Sequence, residues 1–361
     1  MHAMFTKSFR IHIAVVAIGS VLSGGAALQA ESVLIQRKYD PARPMFSEMK
    51  IDTVQKISAP GMPGGGMQIK VSQLYCLKEK VKEGDGGRKI VTLTFDRAMQ
   101  SMDMPMMGSA EFDSDDPEDP DGAPMLGVIY KNLVGESLNV EIDKDGKVVG
   151  FSGMDAISSK ISEKASVNQF WMMMKSYFTD ERGRGSYAED PLRFYPNRSV
   201  KVGDTWESES TDEMPQVGKT QTKHQFKLEK LATEDGRKVA YITYTTRESL
   251  IPSEGEEKEA GGKKSVEGSS NGTAIYDIER GLIVRNTGEE KKKVVMPGQS
   301  MGGGASEVTI EVKSKFISRV FGEEERTRQK EVMARKIAER KKAEEEEEEE
   351  EDDDDDEDDD E

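Results

Sequence analysis

Histidine and cysteine are nearly missing from this chain of 361 residues, which has three of the first and one of the second. His2 and His12 fall in the N-terminal leader, so only His224 and Cys76 lie beyond it. A structural zinc site takes about four Cys or His ligands, and a serine or cysteine triad normally uses a histidine base. The first is therefore excluded, and only a dyad centred on His224 remains for the second. A single cysteine allows no intramolecular disulfide. A phosphate-binding glycine loop is missing as well, because Gly64-Gly65-Gly66 and Gly302-Gly303-Gly304 lack the strand, Lys and helix that such a loop requires.

Most of the chain also lacks an excess of charge. The formal charge is −18, but the last 18 residues, Glu344 to Glu361, are all Glu or Asp. Removing those 18 from the 69 acidic residues leaves 51, equal to the 51 basic ones. The low isoelectric point therefore belongs to a tail, and a generally basic nucleic-acid-binding surface is excluded. Long apolar runs are limited to one place. Lys7 and Arg10 precede Ile11 to Leu22, and small residues then lead to Ala30. Such a leader reads as a secretory signal peptide (residues 1–30), because its apolar stretch falls short of the roughly 20 residues a spanning helix needs. The expected product is exported, periplasmic or secreted, and not an integral membrane protein after cleavage near Ala30. An exported fold without disulfides must be held by its core.

What is present is strand-like alternation. Leu34 to Tyr39, Met49 to Ile57, Met67 to Leu77 and Lys89 to Phe95 alternate in part and are bounded by Gly, Pro and Asp, the signature of antiparallel strands with one wet face. The pattern repeats. Asp85-Gly86-Gly87-Arg88-Lys89-Ile90-Val91-Thr92-Leu93-Thr94-Phe95 matches Asp235-Gly236-Arg237-Lys238-Val239-Ala240-Tyr241-Ile242-Thr243-Tyr244, and Val140 to Val148 resembles Ala274 to Ile283. Two matched hairpins in the same order predict a duplicated β-meander. The halves are residues 31–153 and 181–321. One core helix is expected between them, within 154–180, with Ile157, Ile161, Val167, Phe170, Trp171, Met174 and Phe178 along one face. Residues 322–343 read as a solvated charged helix, and 344–361 as a disordered acidic tail.

Few constellations could carry chemistry. Met99, Met102, Met104, Met106 and Met107 lie within nine residues, and exported Met clusters can hold Cu(I) through soft thioether sulfur. Methionine is equally an adaptable core filler. Asp113 to Asp121 is acid-rich, but counting back from Gly122 puts Pro117 at the first ligand position of a calcium loop. The stretch reads as a flexible insertion. Asp143 and Asp277 precede matching turns and read as caps on their own backbone. His224 reads as a structural strand residue and Cys76 as a buried thiol. General-base candidates are scarce, so the chain reads as non-catalytic with no cofactor.

One segment points to a relative. Pro196-Asn197-Arg198-Ser199-Val200-Lys201-Val202-Gly203-Asp204-Thr205-Trp206, with Gly272 to Leu282 further on, resembles a group of uncharacterised secreted bacterial proteins defined only as a domain of unknown function. The resemblance covers about the second half and implies an exported β-rich protein. It carries no catalytic residues, and the lipid-attachment cysteine common in such proteins is absent. The expected fold is mainly β. Two meanders form one curved sheet or open barrel of about ten to twelve strands, with the helix packed across it. Three roles follow. The first is an envelope protein that binds a hydrophobic small molecule or lipid through Phe170, Trp171, Met174 and Trp206. The second is a structural scaffold whose acidic tail meets a basic protein. The third is a cation-handling protein that holds copper on the methionines or calcium weakly on the tail.

Overall fold

The strand periods are realised as long antiparallel pairs. The structure is a computed structural model that describes residues 32–354 except 63–65, 106–107, 117–123, 165–168, 215–216, 253–263 and 300–304. Residues 1–31 and 355–361 lie outside the described set. So do Met106, Met107, Asp119, Asp121, Val167 and most of the Glu254–Lys264 stretch. No helix among the described residues is long and apolar enough to cross a membrane.

The strands are β1 (Ser32–Ile35), β2 (Met45–Ser58), β3 (Met67–Glu83), β4 (Lys89–Met104), β5 (Gly108–Asp113), β6 (Ser137–Ile142) and β7 (Val148–Ser152) in the first half. The second half holds β8 (Arg198–Lys201), β9 (Thr205–Met214), β10 (Gly218–Glu234), β11 (Arg237–Leu250), β12 (Ser265–Asp277), β13 (Leu282–Gln299) and β14 (Ala305–Phe321). Twelve of them form one sheet in the order β7-β6-β4-β3-β2-β14-β13-β12-β11-β10-β9, with β5 beside β4, while β1 and β8 pair separately. The two predicted hairpins are there: β3–β4 turns at Asp85–Gly87, and β10–β11 at Asp235-Gly236. In the second, both turn residues have positive φ (47° and 77°), which a two-residue hairpin of right-handed twist requires. Each half is a meander, and β14 joins them by pairing with β2 from Thr309↔Ser58 to Phe321↔Phe46. The sheet is not closed.

Cross-strand register sorts the side chains of one face into rows that run across the whole sheet. One row is Trp206, Phe226, Tyr244, Gly272, Gly288, Phe316, Ile51, Gln73 and Gln100. The next is Ser208, His224, Thr246, Ser270, Glu290, Ser314, Thr53, Val71 and Met102. The aromatic row needs its glycines. A Cβ on Gly288 would sit 2.5 Å from Phe316 Cζ and 2.7 Å from Tyr244 Oη, and one on Gly272 would collide with the same tyrosine. Tyr244 thus lies over the glycine pair, donating a hydrogen bond to Asn286 Oδ1 at 3.0 Å.

Apolar burial is split in two. One cluster packs Val91, Leu93, Phe95 and Leu138 of the first half against α1 (Pro124–Leu133), α2 (Met154–Lys164) and Trp171. The other packs β1 and β8 against Phe226, Leu228, Ile242, Ala274 and Tyr276. The expected single helix is instead a series of short pieces: α2, α3 (Gln169–Met174), a 3-10 turn at Lys175–Tyr177, α4 (Asp180–Gly183), then π and 3-10 turns to Phe194. Two backbone events explain the break after α3. Phe178 leaves the helical region (ψ 67°), and Thr179 starts a new helix by accepting a hydrogen bond from the Arg182 amide. Helix α1 begins just after the acid-rich stretch and was not expected; Pro124 lies in its first turn, where a missing N–H costs nothing.

The charged helix α5 (Glu323–Asp354) also departs from expectation at both ends. It continues eleven residues past Ala343. Glutamate is a good helix former, and the i,i+4 pairs Arg340–Glu344 (3.5 Å) and Lys342–Glu346 (3.2 Å) carry the helix across the junction. Nor is it merely solvated. A register shift in the β3–β4 pairing leaves Asp96 as an extra residue on β4, between Arg97↔Cys76 and Phe95↔Leu77. Arg326, with only 3% of its side chain exposed, bonds Asp96 and makes a two-pronged contact with Asp115 at 2.7 and 2.9 Å. Arg97 holds Asp113 at 3.0 and 2.5 Å, and Arg340 holds Asp116 at 2.7 and 3.1 Å. The described part of the acidic stretch is therefore an ion-pair socket for α5 and not a flexible insertion.

Two stability predictions follow from these contacts. Gly288→Ala lowers unfolding free energy by about 1–3 kcal/mol in urea titration, because Tyr244 and Phe316 must both move. Arg326→Met leaves Asp96 with only Lys330 and Asp115 with only Arg97, and costs up to about 3 kcal/mol. It also speeds amide exchange over 323–340, and the further changes Asp96→Asn and Asp115→Asn restore most of the loss.

Candidate functional site

A cavity of about 1190 Å³, open to solvent, lies between the helical pieces and the sheet. Its two sides differ in chemistry. Ile129 and Tyr130 from α1, Met154 from α2, Met174 at the end of α3 and Phe178 just after it, and Tyr75 and Tyr187 supply an apolar and aromatic wall. The opposite floor is the polar row of the sheet, with Thr222, His224, Thr246, Ser270, Glu248 and Glu290. The wall is stiffened by its own polar ends. Tyr130 Oη donates to Gln100 Oε1, which also accepts from Gln73 Nε2 at 3.1 Å. Burial pushes the phenols of Tyr75 and Tyr130 upward in pKa, so they remain neutral hydroxyls.

The floor is built from paired hydroxyls. Thr246 and Ser270 hydrogen-bond at 2.5 Å, and further along the same row of the sheet, beyond the cavity lining, Thr53 and Ser314 pair at 3.0 Å. Glu248 reaches over Gly268 to Lys292 at 2.7 Å, a span that only a residue without a side chain leaves open, since a Cβ there would sit 2.9 Å from Glu248. At the rim Arg193 pairs with Asp190 at 2.6 Å and donates from Nη1 to His224 Nε2 at 3.1 Å. A guanidinium only donates, so Nε2 is the acceptor and the ring proton sits on Nδ1. Desolvation, then the Arg193 charge, depress the imidazole to about 4, so His224 is neutral at physiological pH and its Nε2 is already occupied.

The same helical turn touches both open edges of the sheet. Arg184 Nη2 donates to the Val148 carbonyl of β7 at 3.0 Å, and Arg182 Nη2 donates to the Glu213 carbonyl of β9. Close packing allows this, because Gly183 lies so near Phe151 that a Cβ would come within 2.6 Å of its ring.

The residues singled out in the sequence are distributed unevenly. Met174 lines the cavity. Trp171, 1% exposed, is a core residue whose Nε1 donates to Ser162 Oγ at 3.0 Å, and Trp206, 7% exposed, stacks on Phe226 in the second core; neither lines the cavity. The side chain of Phe170 lies outside the described residues. Of the methionines, Met102 is buried and Met99 is three positions away on the same strand, so the two point to opposite faces of the sheet and cannot meet on one ion. Met104 shares the face of Met102, and Met106 and Met107 lie outside the described residues. Among the described residues no three His, Cys, Asp or Glu side chains converge as metal ligands. Cys76 is fully buried, its thiol pushed up to about 12 by desolvation. Asp143 caps its own turn through the amides of Asp145 and Lys147, and Asp277 accepts from the Arg280 amide. The floor residues Thr246, Ser270, Glu248 and Glu290 were not anticipated. Their signal is the run Glu289 to Lys293, which has no apolar residue on either face of β13 and so cannot border a dry core.

Comparison with known proteins places the chain in a family. It belongs to the family of unknown function DUF6263, which matches residues 86–283 and so includes the Val200–Trp206 segment. No curated protein matches it. Among solved structures, a lipovitellin structure titled for its lipid–protein interactions is 8% identical, covers 79% of this chain and 26% of its own, and has a TM-score of 0.41. The β domain of the Bordetella autotransporter BrkA (8% identity, 77% and 100% coverage, TM-score 0.26) is also similar. So is an outer-membrane channel from Pseudomonas putida F1 (6%, 82% and 100%, 0.22). The chain spans about a quarter of the lipovitellin chain.

His224 is the single histidine among the described residues, which makes its titration easy to isolate. The His224 imidazole resonance is expected to titrate near pH 4. The unfolded chain, with an ordinary value near 6.5, binds the proton first, so stability falls as pH drops from about 6.5 towards 4. His224→Gln removes that part of the dependence, measured by urea unfolding across the window.

Proposed function

We propose that this protein is an exported, non-catalytic carrier that holds an amphiphilic small molecule or lipid in the space between its helical pieces and its sheet. The two-sided lining of the cavity carries the reading. A wholly apolar ligand would leave the hydroxyl and carboxylate floor desolvated and uncompensated, and a wholly polar one would gain nothing from Met154, Met174 and Phe178. A scaffold would be expected to fill its interior, whereas this one leaves a space of about 1190 Å³, above the 300–1,000 Å³ typical of small-ligand sites. The non-catalytic part rests on His224, whose acceptor nitrogen is held by Arg193 and so cannot serve a hydroxyl nucleophile.

The experiment is native mass spectrometry of mature protein taken from its own cell envelope, paired with uptake of fluorescent single-chain amphiphiles. A releasable mass of a few hundred daltons and saturable uptake are expected, and Ser270→Trp, which fills the floor, abolishes both with the fold intact by circular dichroism. A bare protein mass together with no uptake of any amphiphile would overturn the reading.

A further inference from the structure

The cavity floor has one more negative charge than its own groups can balance. Across β11 to β14 the inward side chains at mid-sheet are Thr246 and Glu248, Ser270 and Gly268, Glu290 and Lys292, and Ser314. Lys292 is committed to Glu248, 2.7 Å away, with both side chains less than one-fifth exposed. The hydroxyls on either side of Glu290 are committed as well, Ser270 to Thr246 and Ser314 to Thr53. Glu290 itself accepts no hydrogen bond and enters no ion pair among the described residues, although it lines the cavity. Burial raises its pKa, with Lys292 opposing and Glu248 adding to the rise, as expected of a carboxylate short of a cation.

The rest of the lining brings no cation to the floor. Among the described lining residues seven carboxylates face four cationic side chains, and His224 is neutral. Arg184 pairs with Glu189 at 2.8 Å, Arg193 pairs with Asp190, Arg182 is bonded to a backbone carbonyl of β9, and Lys219 is exposed at the start of β10, at odd spacing from the floor residues Thr222 and His224 and so on the alternate face of the strand. A desolvated carboxylate in a site of this kind is stabilised by an opposite charge brought within a few ångströms, and the apolar wall across the cavity would hold the chain to which that charge is attached.

We infer that the occupant is an amphiphile with a cationic nitrogen in its headgroup, an amine-bearing lipid or a long-chain amine, whose ammonium sits against Glu290 while its hydrocarbon lies along Met154, Met174 and Phe178. This rests on the carrier reading and adds the selecting residue. An anionic headgroup seated on the floor would meet Glu248 and Glu290 with Lys292 already committed.

The test compares three probes of equal chain length, dodecylamine, dodecanoic acid and dodecanol, as competitors for a bound fluorescent amphiphile at low ionic strength. The amine should bind at least tenfold more tightly than the alcohol, and the acid more weakly than either. Glu290→Gln should bring the amine to within about twofold of the alcohol while leaving alcohol affinity unchanged, which also reports an intact cavity. Lys292→Met, which frees Glu248, should widen the amine preference. Equal affinity for all three heads, or an amine preference that survives Glu290→Gln, would overturn the assignment of Glu290 and leave the carrier reading standing. Failure of all three to bind would overturn both.

Discussion

The pairing of β14 with β2 is the constraint on which the rest of the molecule depends. It joins residues more than 250 positions apart in sequence, and without it the two meanders would be separate ribbons. Each meander can form from local hairpins, but the rows that cross the sheet exist only once this last pair is in register. A slip of one residue there would turn Ser314 and Phe316 to the opposite face and break the aromatic and polar rows at their midpoint. The loop-closure entropy of such a contact makes it a late event, stabilised by everything that packs across it.

Those rows explain why the interior is divided. Where Phe226, Tyr244 and Phe316 meet glycines, the aromatic rings fill the space above missing side chains and the sheet is dry. One residue pair further along, the same strands present Thr246, Ser270, Glu290 and Ser314, and no apolar cover is possible. The helical pieces pack on the first-half core and leave the polar band uncovered. The two arginines of one turn then tie the open edges of the sheet to those pieces, so the space is bounded without the sheet closing on itself.

Much of the sheet was legible in the sequence because its signals are local. Asp235-Gly236 can hardly be anything but a tight hairpin turn, and alternation gave the strands on either side. The helical region was misjudged because Met and Phe at helical spacing describe a core-facing stripe equally well whether it is one helix or several, and the break lies in backbone geometry at Phe178 and Thr179. The role of Arg326 was hidden for another reason. Its partners Asp96 and Asp115 lie more than 200 residues earlier, and a buried ion pair of that separation leaves no pattern in composition. Trp171 and Trp206 were chosen as ligand contacts because large aromatics serve both cores and sites, and only packing separates the two.

Helix α5 changes how the molecule meets an electric field. Its 32 residues rise about 48 Å, and the anchoring ion pairs at Arg326, Lys330 and Arg340 all precede its acidic end. Residues 1–343 are formally neutral, and the eleven consecutive acidic residues Glu344 to Asp354 form the far end of this helix, which gives the protein a large permanent dipole. Near an anionic surface the acidic pole is turned outward and the body inward, while added salt shortens the range of that torque to a few ångströms. Orientation at such a surface is thus set before any contact is made, by the placement of charge along a single helix.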